Sequence, residues 1–284
     1  MSNNVGIILE GGAMRSIFSA GILDFFADEG IEIPNILAVS AGAYVGMNYV
    51  SGQRGRVIDA IIKPLEEEKY LGVGTFFKKG TFFDMDFLFE EVQKKRVPFD
   101  FEAFSNSTKR FITTTINCLT GETCYFEKVE DLDDFIQVLR AANSMPLISK
   151  VLHYKGIPML DGGMGDAIPL SKALEEGWDK IIVVLTRDTS YRKKRRNLYL
   201  KVINAVYHKY PKFVKLVEER SERYNACLDQ LLELEKEGKV FIYRPSKITV
   251  SNSETDVETL MKYYQHGYDD AKEREEELRK FLEG

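Results

Sequence analysis

Ser40 follows the apolar run Ile36–Val39 and precedes three small residues, Ala41-Gly42-Ala43. A serine on a sharp strand-to-helix turn is presented for attack on a carbonyl, and small neighbours let the backbones pack closely around such a strained turn. Serine is also a favoured helix N-cap, so this turn alone leaves two roles open. Two more glycine-bearing turns follow apolar runs. Glu10-Gly11-Gly12-Ala13-Met14-Arg15-Ser16 follows Val5–Leu9. Its amides can point at an anion, either as a phosphate site or as an oxyanion hole. The glycine spacing of a dinucleotide site is not met, because a frame starting at Gly11 has Ala13 and Ser16 in its other two slots. A plain tight turn also fits. Asp161-Gly162-Gly163 follows Ile157–Leu160. Its carboxylate suits a general base, and a β-turn with Asp at its first position is the plainer alternative.

The elements that must position these turns alternate. Val5–Leu9 reads as a buried strand, and Ser16 opens an amphipathic helix in which Phe18, Ile22, Phe25 and Phe26 share a face. Gly30 suits its C-terminal cap. Ile36–Val39 is a second strand, and a helix begins after Ser40. This alternation implies a parallel sheet covered by helices. The carboxyl ends of parallel strands lie along one edge, so the three turns are expected to converge there. Hairpins are expected at Arg110–Leu119 with Thr123–Phe126, and at Val151–Tyr154 with Ile157–Leu160. A helix is expected from Asp131 to Asn143 and a buried strand over Lys180–Thr186. Beyond that the chain reads as helical. Pro211 suits a first helical turn, Phe213, Val217, Tyr224, Leu228 and Leu231 continue one face, and Gly238 closes it. Val240–Tyr243 reads as a last strand, and Val257, Leu260, Met261, Tyr264 and Tyr268 mark a final helix. The charged stretch Lys272–Lys280 reads as a solvated helix face.

The histidines are His153, His208 and His266. A Ser–Asp–His triad would need His208 or His266 as its base, but neither falls on a strand-to-helix turn, and a surface position suits both better. An aspartate acting directly on serine is the chemically harder alternative, since an ordinary carboxyl titrates near 4. A desolvated pocket can raise it.

The 284 residues carry a net charge of −5. That sign gives no reason to expect a nucleic-acid partner. Cys118, Cys124 and Cys227 are expected to be free thiols, with no metal-site spacing. No basic segment precedes a long apolar one at Met1-Ser2-Asn3-Asn4, and no run approaches the length of a membrane span. A cytoplasmic protein, possible at a membrane surface only from the water side, is therefore expected.

Four linked blocks carry a resemblance to a known family. They are Leu9-Glu10-Gly11-Gly12-Ala13-Met14-Arg15-Ser16, Val39-Ser40-Ala41-Gly42-Ala43, Ala141-Ala142-Asn143-Ser144-Met145-Pro146-Leu147 and Leu160-Asp161-Gly162-Gly163. In order and spacing the chain resembles a bacterial patatin-like phospholipase over roughly residues 5–190. The resemblance implies a three-layer α/β/α sandwich with a mainly parallel central sheet and a helical C-terminal part over 191–284, packed on the same domain. It implies a serine lipid acyl hydrolase with a Ser40–Asp161 dyad, oxyanion donors at Gly11, Gly12 and Ala13, and no metal or other cofactor. Arg15, Gly42, Gly162 and Gly163 are expected to support the substrate or the turns. Ala13, Ser16 and Ala38 each replace a glycine of the family pattern. A methyl at Ala13 removes no amide, but it disfavours a positive φ.

The aromatic stretch Phe76–Phe89 suits either an acyl pocket or ordinary core. Arg187 and the run Arg192-Lys193-Lys194-Arg195-Arg196 suit either contact with anionic lipid headgroups or a solvated loop. Two rival readings use the same residues: a non-catalytic nucleotide- or phosphate-binding protein built on Gly11–Ser16, and a protein-interaction relative weakened by the three departures.

Overall fold

The computed structural model describes residues 4–129, 131–247 and 249–284. The Met1-Ser2-Asn3 segment, on which the expectation of no leader partly rests, lies outside the described residues. Apolar runs closed by glycine turns form the strands of one sheet: β1 (Val5–Leu9), β2 (Asn35–Ala38), β3 (Arg110–Asn117), β4 (Thr123–Phe126), β5 (Leu152–Tyr154), β6 (Ile157–Asp161), β7 (Lys180–Val184) and β8 (Val240–Tyr243). They pair in the order β5-β6-β3-β2-β1-β7-β8, with β4 pairing β3. Pairings among β3, β2, β1, β7 and β8 are parallel, whereas β4, β5 and β6 pair antiparallel. The sheet is therefore mixed.

The first helices are α1 (Ile17–Asp28), α2 (Ala41–Val50), α3 (Pro64–Glu67), α4 (Val73–Lys79), α5 (Phe101–Asn106) and α6 (Leu132–Ala142). Then come α7 (Leu170–Glu175), α8 (Asn197–Val206), α9 (Pro211–Glu218), α10 (Arg220–Lys236), α11 (Val257–Glu273) and α12 (Glu275–Glu283). Alternate strand residues face opposite sides of a sheet. Ile7, Leu9, Ile36, Ala38 and Phe111 pack in one cluster with α1, α2 and α11. Ile8, Leu37, Ile112 and Val183 pack in another with α7 and α10. Helices thus cover both faces, and the parallel strands β1, β2, β7 and β8, buried on both, are mostly apolar, while β3 buries three threonines, Thr113, Thr114 and Thr115.

The C-terminal part is built into this architecture. Strand β8 pairs with β7. Pro211 opens α9, and the apolar face that runs on from it is split at Glu219, where α10 begins. Helix α11 lies on α1, with Phe18 against Tyr263 and His266. His266 is therefore buried, not on the surface as the sequence suggested. Its partner α1 has apolar residues around most of its circumference, and α11 must cover the side that the sheet does not. In the charged tail Leu278 is buried, while Lys272, Glu273, Glu276, Glu277 and Lys280 are exposed. All three cysteines are free.

Candidate active site

Ser40 has φ 54° and ψ −130°. A positive φ is uncommon for a residue with a Cβ and costs on the order of 1–3 kcal/mol unless its surroundings impose it. Here they do. The Val39 amide donates to Leu9 O (3.0 Å) and the Gly42 amide to Val39 O (2.9 Å). A Cβ on Gly42 would lie 2.6 Å from Leu9 O, so only glycine allows α2 to start this close to β1. Ser40 occupies the N-cap position of α2, but its side chain makes no capping bond. Its hydroxyl instead donates to Asp161 Oδ2 at 2.5 Å.

Asp161 does not arrive as the sequence suggested. Strand β6 runs antiparallel to β3, so convergence of parallel carboxyl ends cannot account for the meeting. Register accounts for it. Ala38 lies opposite Thr113 and Asp161 lies opposite Thr115. The Arg110 amide bonds Pro34 O and the Cys118 amide bonds Pro158 O. Amides an even number of residues apart face the same strand edge. Strands β2 and β6 therefore approach end-on along one edge of β3, and the turns that leave them touch.

Asp161 is fully buried. Its second oxygen, Oδ1, accepts from the Gly163 amide at 2.7 Å, and Gly163 O accepts from Arg220 Nε at 2.8 Å. Burial pushes the carboxyl up from 3.8 to about 6, against the opposing pull of the Ser40 hydroxyl, the Gly163 amide and the Arg220 charge. A Cβ on Gly162 would lie 2.1 Å from Thr114 Oγ1, so the turn after Asp161 is pressed onto β3.

The turn after β1 completes the arrangement. A Cβ on Gly11 would meet Ser40 Cβ at 2.6 Å, which places the backbone of this turn directly against the serine. Ala13 adopts φ 51° despite its methyl. Among the described residues, the amides of Gly11, Gly12 and Ala13 have no acceptor. Ser16 is buried, its hydroxyl reaching Glu10 O at 3.5 Å, and Ala38 is buried in β2. Glu10, which the sequence reading passed over, anchors the turn. Its Oε2 accepts from the Thr186 amide (2.6 Å) and hydroxyl (2.9 Å), and its Oε1 accepts from the Tyr224 hydroxyl (2.7 Å). The available signal was an acid closing an otherwise apolar strand, since a buried carboxylate requires partners.

Ser40, Asp161, Gly11, Gly12, Ala13, Arg15 and Gly163 all line a cavity of about 1130 Å³. Gly42 and Gly162 are not among its lining residues; each sits where a neighbouring strand leaves no room for a Cβ. None of the three histidines reaches it. Tyr44, Val57, Ile61, Phe82, Phe83 and Phe89 form apolar wall. The aromatic stretch divides: Phe89 is at once core and cavity lining, whereas Phe77 is 83% exposed. The basic run also divides: Arg192, Lys194, Arg195 and Arg196 are exposed, and Lys193 is half-buried beside Tyr224, its Nζ 4.3 Å from the ring centroid.

A family model described as patatin-like phospholipase matches residues 7–174, and a second, described as the domain of unknown function DUF6363, matches residues 210–283. The uncharacterized protein YjjU of Escherichia coli (strain K12) is 26% identical over 187 residues, 64% of this chain and 52% of that protein. The chain thus spans about half the length of this curated relative. The crystal structure of VipD from Legionella pneumophila aligns over 96% of this chain and 66% of that one, at 12% identity and a TM-score of 0.47. Since the first model covers more than half of its length, the chain belongs to the patatin-like phospholipase family.

Proposed function

We propose that the protein hydrolyses the carboxylic esters of lipids with Ser40 as nucleophile and Asp161 as its base. The observation that carries this reading is the 2.5 Å bond from the Ser40 hydroxyl to a fully buried Asp161 at the wall of a largely apolar cavity. In the ionised state Asp161 accepts the Ser40 proton as the oxygen attacks the ester carbonyl. The amides of Gly11, Gly12 and Ala13 face the oxyanion that develops, and the N-terminus of α2 adds positive potential. As the tetrahedral intermediate collapses, Asp161 returns the proton to the departing alcohol oxygen and an acyl-serine remains. Water then gives a proton to Asp161 and attacks the acyl carbon. The fatty acid leaves as Ser40 recovers its proton. A carboxyl raised to about 6 is better matched to this traffic near neutral pH than an ordinary one.

Labelling with a fluorophosphonate probe tests the assignment. Wild type is expected to be labelled and Ser40→Ala not at all. Equal labelling of the two, or none of wild type beside a labelled control hydrolase, would remove Ser40 from the chemistry.

The proposal extends to docking on anionic membranes. Among the described residues no helix is long and apolar enough to cross a membrane. Two helices near the cavity instead expose apolar side chains. Helix α4 exposes Val73 and Phe77, and α8 exposes Leu198 (77%), Val202 and Val206 on one face. Exposed Arg192, Lys194, Arg195 and Arg196 lie just before α8, and each can contribute about 1 kcal/mol at an anionic surface. Burying Phe77 and Leu198 in lipid is worth about 1.5–3 kcal/mol each. Phe77→Glu/Leu198→Glu is therefore expected to weaken co-sedimentation with phosphatidylglycerol vesicles at least about tenfold. Unchanged partitioning would exclude these helices as the docking surface.

A further inference from the structure

The cavity wall carries eight cations, of which Arg192, Lys194, Arg195 and Arg196 are exposed and four are half-buried: Arg15 from the turn after β1, Arg187 and Lys193 from the segment after β7, and Arg220 at the start of α10. Three of these four lie beyond residues 7–174, the stretch matched by the family model. Among the described residues, none of the four is within ion-pair distance of a carboxylate, whereas exposed Arg192 pairs with Asp229. Arg15 Nε is buried and has no hydrogen-bond partner. Three of the four carboxylates that border the cavity are committed. Glu10 is held by Thr186 and Tyr224, Asp188 accepts from Ser190, and Asp161 serves Ser40. Glu218 also borders the cavity.

The cluster is built rather than loose. Lys193 is clamped through its backbone, its amide donating to Asn225 Oδ1 (2.9 Å) and its carbonyl accepting from Asn225 Nδ2 (3.0 Å). Arg187 stacks over Tyr191, with Cζ 4.5 Å from the ring centroid. Arg220 is tied to Gly163, the residue whose amide holds Asp161. Burial, and then repulsion from Arg220, Arg15 and Arg187, pull the Lys193 amine down to about 7, with only Glu10 opposing them. Mutually repelling, unpaired cations in a cavity are stabilised by an anion, and a charge-assisted bond to phosphate is among the stronger hydrogen bonds available.

We propose that this cluster receives the terminal phosphate monoester of an acylated glycerol, so that lysophosphatidate and phosphatidate are the preferred esters, an inference that rests on the hydrolase reading above. A phosphate monoester carries about −1.5 to −2 at neutral pH and satisfies more of these donors than a phosphodiester. The trimethylammonium of a choline headgroup would meet an excess of positive charge along Arg187–Arg196, so the same residues select against it. The cations adjoin the Ser40–Asp161 pair through Arg15 and Arg220, leaving the apolar wall at Tyr44, Phe82 and Phe89 for the acyl chain.

The test compares kcat/KM for fatty-acid release from oleoyl lysophosphatidate, oleoyl lysophosphatidylcholine and monoolein by the whole chain. Wild type is expected to favour lysophosphatidate over lysophosphatidylcholine by at least about tenfold. Arg187→Gln/Lys193→Gln should bring that ratio close to one, and Lys193→Arg should preserve it. Calorimetric titration with glycerol 3-phosphate is expected to show binding to wild type and at least about tenfold weaker binding to the double variant. Thermal melting establishes that each variant is folded. Equal rates of wild type on the two lysolipids would overturn the proposal, as would a preference that survives in the folded double variant. Inorganic phosphate bound as tightly as glycerol 3-phosphate, with no preference among the lipids, would make this a free-phosphate site and overturn it too. Failure to hydrolyse any of the three esters, uncharged monoolein included, would instead overturn the hydrolase reading.

Discussion

Asp161→Asn is expected to lower turnover by about 10²–10⁴ and yet to melt at a higher temperature than wild type. Both effects have one cause. The carboxylate is fully buried, and desolvation raises it from 3.8 to about 6. A folded-state carboxyl raised that far costs the native protein about 3 kcal/mol at pH 7. An amide carries no charge to desolvate. It can still accept from the Gly163 amide and donate to Ser40 Oγ, so the geometry has no reason to collapse. For a chain of this size, 1 kcal/mol corresponds to roughly 2–4 °C in melting temperature, so the gain should be about 6–12 °C if the whole cost is recovered.

The pH dependence separates this account from a merely well-tolerated substitution. The folded state holds the Asp161 proton more tightly than the unfolded chain. Wild-type stability from this group is therefore fully present below about pH 4 and is lost as pH rises through about 6. The melting difference between variant and wild type should vanish near pH 4 and be complete above 6. Over the same window wild-type kcat/KM should rise about tenfold per pH unit and then level off near pH 6, as the base becomes ionised. A variant with substantial turnover, or one less stable than wild type at pH 7, would count against Asp161 as a buried base.

The second large effect is expected at two glycines far from the chemistry. A Cβ on Gly21 of α1 would lie 2.1 Å from Tyr264 O and 2.7 Å from the Tyr268 amide nitrogen. A Cβ on Gly267 of α11 would lie 2.1 Å from Phe18 O. These are backbone atoms, so no side chain can turn aside, and the helices must move apart. Separation would loosen Phe18 from Tyr263 and His266 and strain the bonds from the Tyr264 hydroxyl to Asp24 and from the Tyr268 hydroxyl to Asp28. Overpacking commonly costs 1–3 kcal/mol, and a backbone clash should place Gly21→Ala and Gly267→Ala at about 3 kcal/mol or above. Gly74→Ala is the control. Its Cβ would meet nothing within 4 Å inside α4, and it should be neutral or slightly stabilising. Urea unfolding of the three variants measures the contrast. If Gly267→Ala unfolds like wild type, the C-terminal helices are not integral to the catalytic domain.

Much of the fold was legible because its signals are local. Apolar runs ending at Gly11, Gly121, Gly156 and Gly238 mark strand and helix ends through chain geometry, and the hairpin pairs followed the expected positions. What misled the reading was non-local. His266 looked solvent-facing because nothing in its neighbours announces that α1 will lie over it. The basic run suits either headgroup contact or a solvated loop along its whole length, but Lys193 is drawn inward by Asn225, 32 residues further on. Glu10 was read as part of a turn, and its partners, Thr186 and Tyr224, come from distant elements.

For the reacting pair the division is sharp. Local chain chemistry puts Ser40 at a strained strand-to-helix turn, because small residues on both sides are what such a turn requires, and puts Asp161 at the close of a strand ahead of two glycines. How they meet depends on packing in three dimensions. The hydroxyl had to choose between capping α2 and bonding a carboxylate, and the end-on approach of β2 and β6 along β3 brings that carboxylate to 2.5 Å. Burial at the same place decided the state of the acid. Desolvation depends on what surrounds a group in space, and no spacing along the chain records it.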